Sequence, residues 1–205
     1  MPLQNRVSPF GELLAAPARG DFFGNRGGKF HRDDKTLGAR RHASKAWICC
    51  VLSFKGRQRD VWGRYYTELF FLDEPAALAA GHRPCFERRR AEAAAFAEKF
   101  RAGAGRAKAG EMDERLHRER LDTDGRSKRL HPVSLADLPD GAFVTLGGNE
   151  SFAVKGKSLL RWSPGGYLER LPRPAGRAMM LTPPAIMKVL ARGYEPHWHE
   201  SAAVP

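Results

Sequence analysis

The 205 residues give room for one generous domain, or a compact core with a small appendage, and neither needs a disulfide or metal for stability. A hydrophobic share of 42% beside 28% charged residues excludes a disordered chain and predicts a packed core. The 35 Lys and Arg against 23 Asp and Glu leave a net charge of +12, a field that attracts polyanions and makes nucleic acid the expected partner.

Charges and prolines run through MPLQNRVSPFGELLAAPARG, where a secretory signal would need an unbroken apolar stretch. The longest notable apolar run, Ala46 to Leu52, falls far short of the roughly 20 residues of a membrane span. The expectation is a soluble, cytoplasmic protein with no membrane partner. Its three cysteines are then free thiols or metal ligands.

Residues 1–45 hold no sustained 3.6-residue or 2-residue apolar period and are expected to form an irregular basic arm. Within it, Phe22 to Phe30 places paired aromatics beside a Gly-rich, cationic turn whose amides would cradle a phosphate, or whose Phe side chains staple the turn to the core. Ala46 to Lys55 is β-branched and aromatic and reads as a buried strand, with a turn at Gly56-Arg57. Further strands are expected over Asp60 to Trp62 and Tyr66 to Leu72, making an antiparallel sheet. Asp73 is a good N-cap for a short helix that starts with Glu74-Pro75 and ends at Gly81.

Pro84 opens a second expected helix, through Arg101, with Phe86, Ala93, Phe96, Ala97 and Phe100 on one stripe. A charged third helix spans Glu111 to Leu121, with Met112, Leu116 and the stem of Arg120 facing the core. After a polar loop at Thr123 to Lys128, short strands are expected over Gly141 to Leu146, Ser151 to Lys155, Ser158 to Trp162 and Ala178 to Leu181. A last helix over Ala185 to Ala191 precedes the tail Tyr194 to Pro205. The fold class is therefore α+β: an antiparallel sheet with packed helices in the N-terminal half and a β-rich C-terminal half. Residues 46–130 and 131–205 are expected to pack as one unit, with the composition shifting near Leu130.

The segment Glu68-Leu69-Phe70-Phe71, an Ala-rich helix, then Gly81-His82-Arg83-Pro84-Cys85-Phe86-Glu87-Arg88-Arg89-Arg90 resembles the Ada-type methylphosphotriester-repair domain over about residues 47–90. In that family a strand ending in paired Phe leads through an Ala-rich helix into G-F-R-P-C-x-x-C-R-P. Its two cysteines join an earlier pair in a four-thiolate zinc site, and one thiolate accepts a methyl group from a DNA phosphate. Gly81, Arg83, Pro84, Cys85 and Arg89 match, and Cys49 and Cys50 lie where the earlier pair belongs. Arg88 replaces the second C-x-x-C cysteine, and Cys49 and Cys50 are adjacent where the family separates its pair by three residues.

The resemblance makes Cys49, Cys50 and Cys85 candidate zinc ligands, to which His82 or His42 is the candidate histidine to be added, with zinc the one candidate cofactor. An intact four-thiolate site is not expected, and neither is methyl transfer. The same segment makes Arg83, Arg88, Arg89 and Arg90, at a helix start, candidate phosphate contacts through side chains and free amides. The function expected is nucleic-acid binding tied to DNA repair or regulation. The alternative is a small enzyme using Cys85 or a histidine in a cleft between the two halves. His197-Trp198-His199-Glu200, Glu114 with His117, Arg64-Tyr65-Tyr66 and Leu160-Arg161-Trp162 are weaker signals for metal, acid-base and base-stacking roles.

Overall fold

Two strands open the chain: β1 (Gln4–Val7) and β2 (Leu13–Ala15) form a hairpin. Next come β3 (Phe22–Asn25), β4 (Ile48–Val51) and β5 (Leu69–Phe71), in a computed structural model that describes residues 1–56 and 60–203. With β6 (Arg83–Pro84) these form a sheet of order β2-β1-β5-β3-β4-β6. The expected antiparallel sheet is in fact mixed: β1 with β5 and β4 with β6 run parallel. A helix sits between β5 and β6, and this crossover returns the chain alongside β4 in the same direction.

That helix, α1 (Glu74–Ala79), forms where the sequence places it. Asp73 Oδ1 accepts from the Ala76 amide at 3.0 Å, and Gly81, at φ +88°, follows the last turn in the left-handed region. All six of its residues are buried because it lies between two layers. Ala77 and Ala80 pack on Leu69, Phe71 and Cys49, while Ala76 and Ala79 pack on Phe143, Ala153 and Leu160. Small side chains on both faces permit that close approach.

The helices α2 (Arg90–Phe100) and α3 (Ala109–Arg120) follow. The second sheet comprises β7 (His131–Ser134), β8 (Phe143–Thr145), β9 (Phe152–Lys155), β10 (Ser158–Ser163), β11 (Gly166–Pro172) and β12 (Arg177–Met180). It is antiparallel throughout, in the order β11-β10-β9-β8-β12-β7. The last helix, α4 (Pro184–Ala191), joins Leu78, Phe96, Met112 and Leu116 against Val144, Val154 and Leu159. One apolar core thus runs through the junction near Leu130. The fold is α+β, with helices packed on both sheets.

Several expectations change. Residues 1–45 supply three strands, paired by backbone hydrogen bonds that a periodicity reading cannot detect in such short runs. Asp60 to Trp62 is a turn: Trp62 has φ +58°, its amide donates to Glu68 Oε2 at 2.8 Å, and its indole donates to Glu68 O at 3.0 Å. The predicted turn at Gly56-Arg57 extends outside the described residues, although Gly56 itself has a positive φ. Pro84 pairs with Cys49 rather than opening α2, which begins six residues later after a turn closed by Arg89 N donating to Cys85 O at 2.9 Å.

Candidate functional site

Alternation along β4 sends neighbouring side chains to opposite faces. Cys49 joins Phe71 and Ala77 in the core, whereas Cys50 joins Phe23 and Cys85 on the other side. Cys50 and Cys85 share a side-chain hydrogen bond, and the amides of Arg88 and Glu87 donate to Cys85. The bond from Cys50 and these amides favour the Cys85 thiolate and push its thiol down, against burial. Cys50 is pushed up by the same bond and by burial.

His82 turns elsewhere. Its Nε2 accepts from Arg26 Nε at 3.3 Å, and its ring packs on Trp47 and Phe71. Burial and the neighbouring Arg26 and Arg120 hold it neutral. Of the candidate zinc ligands the fold brings together Cys50 and Cys85 and separates Cys49 and His82 from them. Among the described residues no three His, Cys, Asp or Glu side chains converge as a metal site would require. The residues do not fit a zinc ion.

The four candidate arginines also divide. Arg83 makes a bidentate pair with Asp113, both contacts at 2.8 Å. Arg89 makes another with Glu74, again at 2.8 Å twice, and Tyr194 Oη and the His197 amide donate to the same carboxylate at 2.6 and 2.9 Å. Both arginines are buried and their charges answered. Arg88 is half-buried with its guanidinium over Phe23, and Arg90 is exposed. The Gly27 amide expected in a phosphate cradle is taken by Asn25 Oδ1 at 2.9 Å. Glu114 pairs with Lys45, and His199 Nδ1 lies 2.8 Å from Ser201 Oγ.

A cluster of cations without such partners lies on the opposite face of the β3–β4 ribbon from the Cys50 and Cys85 thiols. The Trp47 ring is flanked by two guanidiniums, Arg26 at 3.9 Å and Arg120 at 3.8 Å from its centroid. Each arginine is 1% exposed. Arg26 donates to Gly11 O at 2.8 Å and Arg41 O at 3.2 Å, and Arg120 donates to Gly81 O at 3.0 Å and Lys45 O at 2.7 Å. Arg120 Nε is buried and finds no hydrogen-bond partner among the described residues. Neutral carbonyls orient both groups, and no described carboxylate forms an ion pair with either.

Gly81 makes this arrangement possible. A Cβ there would lie 2.6 Å from Arg120 Cδ, so the helix-ending glycine also leaves the space through which Arg120 crosses.

These residues line an open cavity of about 550 Å³ with Arg41, His42, Arg126, Lys128 and, as the one acid among the described residues there, Glu12. Burial and Arg41 push Arg26 down to about 9, and burial and Arg26 push Arg120 down to about 8. A guanidinium keeps its proton in proteins, so the downward push marks charges held against burial first and a neighbouring cation second, with Asp113 opposing it at Arg120. Lys128, donating to Ala79 O at 2.5 Å, is pushed well down by burial and by the same two arginines. His117, beside Arg120, falls to about 4 through burial first and then that charge. Sequence reasoning missed this cluster, although Arg120 follows Leu116 at helical spacing on the buried face of α3.

Compared with family models, with curated proteins and with solved structures, the chain matches none.

Proposed function

We propose that this protein binds nucleic acid and that a backbone or terminal phosphate enters the cavity beside Arg26, Arg120 and Lys128. The observation that carries this reading is the pair of buried guanidiniums flanking Trp47, with which no carboxylate among the described residues forms an ion pair. Burying a charge without an opposite charge is costly, and a phosphate is a strong acceptor for guanidinium donors. The volume of about 550 Å³ suits a nucleotide-sized group.

The net charge of +12 supports attraction of the whole strand, and Arg41 and Arg126 at the same cavity extend the positive field. The local likeness to Ada-type domains supports the same partner class and makes DNA repair or regulation the context. Methyl transfer is not part of the proposal, because the thiols do not assemble a zinc site. Arg88 and Arg90 remain as outlying contacts, and Arg83 and Arg89 serve the fold.

The test is a fluorescence-anisotropy titration with a labelled single-stranded oligonucleotide at several salt concentrations, repeated with a nucleoside monophosphate and with inorganic phosphate as competitors. The proposal expects affinity to fall steeply with salt and the mononucleotide to compete. Absence of binding at low salt would overturn it. Failure to bind the oligonucleotide, together with direct binding of inorganic phosphate measured by titration calorimetry, would replace nucleic acid by a small phosphorylated ligand.

A further inference from the structure

The Cys50 and Cys85 pair lies outside the basic cavity and has no part in phosphate binding. The parallel register of β4 with β6 sets Ile48 opposite Arg83 and Cys49 opposite Pro84, and Cys85 N donates to Cys49 O at 3.0 Å. One residue further along, Cys50 stands level with Cys85. Paired strands run about 4.8 Å apart, within the Cα separation that a disulfide bridges.

Both thiols line a second open cavity of about 420 Å³, with Phe23, Asn25, Ser44, Tyr66, Glu68 and Arg88 among its walls. Two further features suit thiol chemistry there. The amides of Glu87 and Arg88 point at the Cys85 sulfur, and the Arg88 cation acts on the Cys50 sulfur. Amide donors and a neighbouring cation are what make a thiol nucleophilic. Arg88 thus stands where the Ada-type pattern has a metal-binding cysteine and here supplies charge to the Cys50 thiol and an amide to Cys85.

We propose that Cys50 and Cys85 form a dithiol–disulfide couple that exchanges with low-molecular-weight disulfides entering this cavity, with Cys85 as the attacking thiol and Cys50 as the resolving one. In the first step the Cys85 sulfur attacks one sulfur of R–S–S–R. The S–S bond breaks, a Cys85–S–S–R bond forms, and R–S⁻ leaves and takes up the Cys85 proton. In the second step Cys50 loses its proton, attacks the Cys85 sulfur and expels the other R–S⁻, which takes up that proton. The two protein thiols are oxidised by two electrons, and the small disulfide is reduced to two thiols. Cys49, turned into the core on the other face, takes no part.

The experiment incubates the folded, reduced protein with oxidised glutathione, removes the reagent, and reads the intact mass and the non-reduced peptide map. The expected result is loss of two hydrogen atoms from the mass, a single Cys50–Cys85 linkage, and one remaining titratable thiol at Cys49. In Cys50→Ser, Cys85 should hold glutathione as a stable mixed disulfide. In Cys85→Ser, Cys50 should react at least ten-fold more slowly than Cys85 does in the native chain. A stable glutathione adduct on the native chain, a linkage that includes Cys49, links only between two chains, or no reaction would each overturn the proposal. Arg88→Met should slow the second step several-fold, read as a longer-lived glutathione adduct on Cys85, and an unchanged rate would remove Arg88 from it. Because the readout contains no nucleic acid, it stands or falls independently of phosphate binding.

Discussion

Replacing Arg89 with Met should unfold the protein more readily without removing a nucleic-acid contact. Arg89 and Glu74 are 3% and 1% exposed, and the carboxylate also accepts from Tyr194 and from the His197 backbone. Removing the cation leaves a buried carboxylate with neutral donors alone, a change that costs about 3–5 kcal/mol. For a chain of this size each kcal/mol moves Tm by about 2–4 °C, so the loss should be about 6–20 °C. Glu74→Gln alone should cost a similar amount, because it strands Arg89. The double variant should recover more than half of the summed loss, since both charges go while an acceptor remains for Tyr194. Urea melts followed by tryptophan fluorescence, at unchanged m, measure all three. A loss below about 1 kcal/mol for Arg89→Met, or weakened oligonucleotide binding at unchanged stability, would refute the structural role and restore Arg89 as a phosphate contact.

Gly81→Ala should lower stability by about 1–2 kcal/mol from the left-handed backbone alone and should also weaken anion binding several-fold, because the new Cβ displaces Arg120; melts and phosphate titrations read the two effects. Affinity for a phosphodiester, whose own charge is constant, should rise as pH falls. A bound anion lifts the depressed Lys128 at the cavity wall, so binding takes up protons, and a flat profile would count against its facing the ligand. Burial raises Asp73 to about 7. Its contribution to stability is therefore full below the unfolded value and lost as pH rises through about 7. Asp73→Asn should remove that decline, and melts at acid and neutral pH should show the gap between variant and native chain moving in the variant's favour as pH rises.

The parts of this fold legible in the sequence are those whose causes are local. Asp73, Pro75 and Gly81 mark both ends of α1, and the alanines between them suit a helix squeezed between two layers. The strands at Ile48–Val51 and Phe152–Lys155 follow from β-branched and aromatic content. By contrast, β11 was not foreseen, because Glu169 and Arg170 interrupt its apolar alternation, and its pairing to β10 across the Gly165-Gly166 turn is what makes it a strand.

For the site, the sequence picks out cations by their neighbours in the chain, whereas the fold sorts them by what reaches them from a distance. Asp113 and Glu74, 30 and 15 residues away, answer Arg83 and Arg89, and nothing in the Gly81 to Arg90 segment announces either. Arg26 and Arg120 come from distant segments and meet only because Trp47 lies between them. The adjacent cysteines were legible as a pair that strand alternation must split. That Cys50 is the one to meet Cys85 depended on the register of β4 with β6.

The central claim is that phosphate enters the cavity flanked by Arg26 and Arg120. The most direct measurement is the salt dependence of oligonucleotide affinity for the native chain, Arg120→Met and Arg90→Met, with folding checked by melts. The account predicts that Arg120→Met weakens binding and reduces the log–log salt slope by about 0.7, the value for one lost phosphate contact on a single strand, while Arg90→Met changes the slope less. Identical slopes for Arg120→Met and the native chain, or loss confined to Arg90→Met, would contradict it.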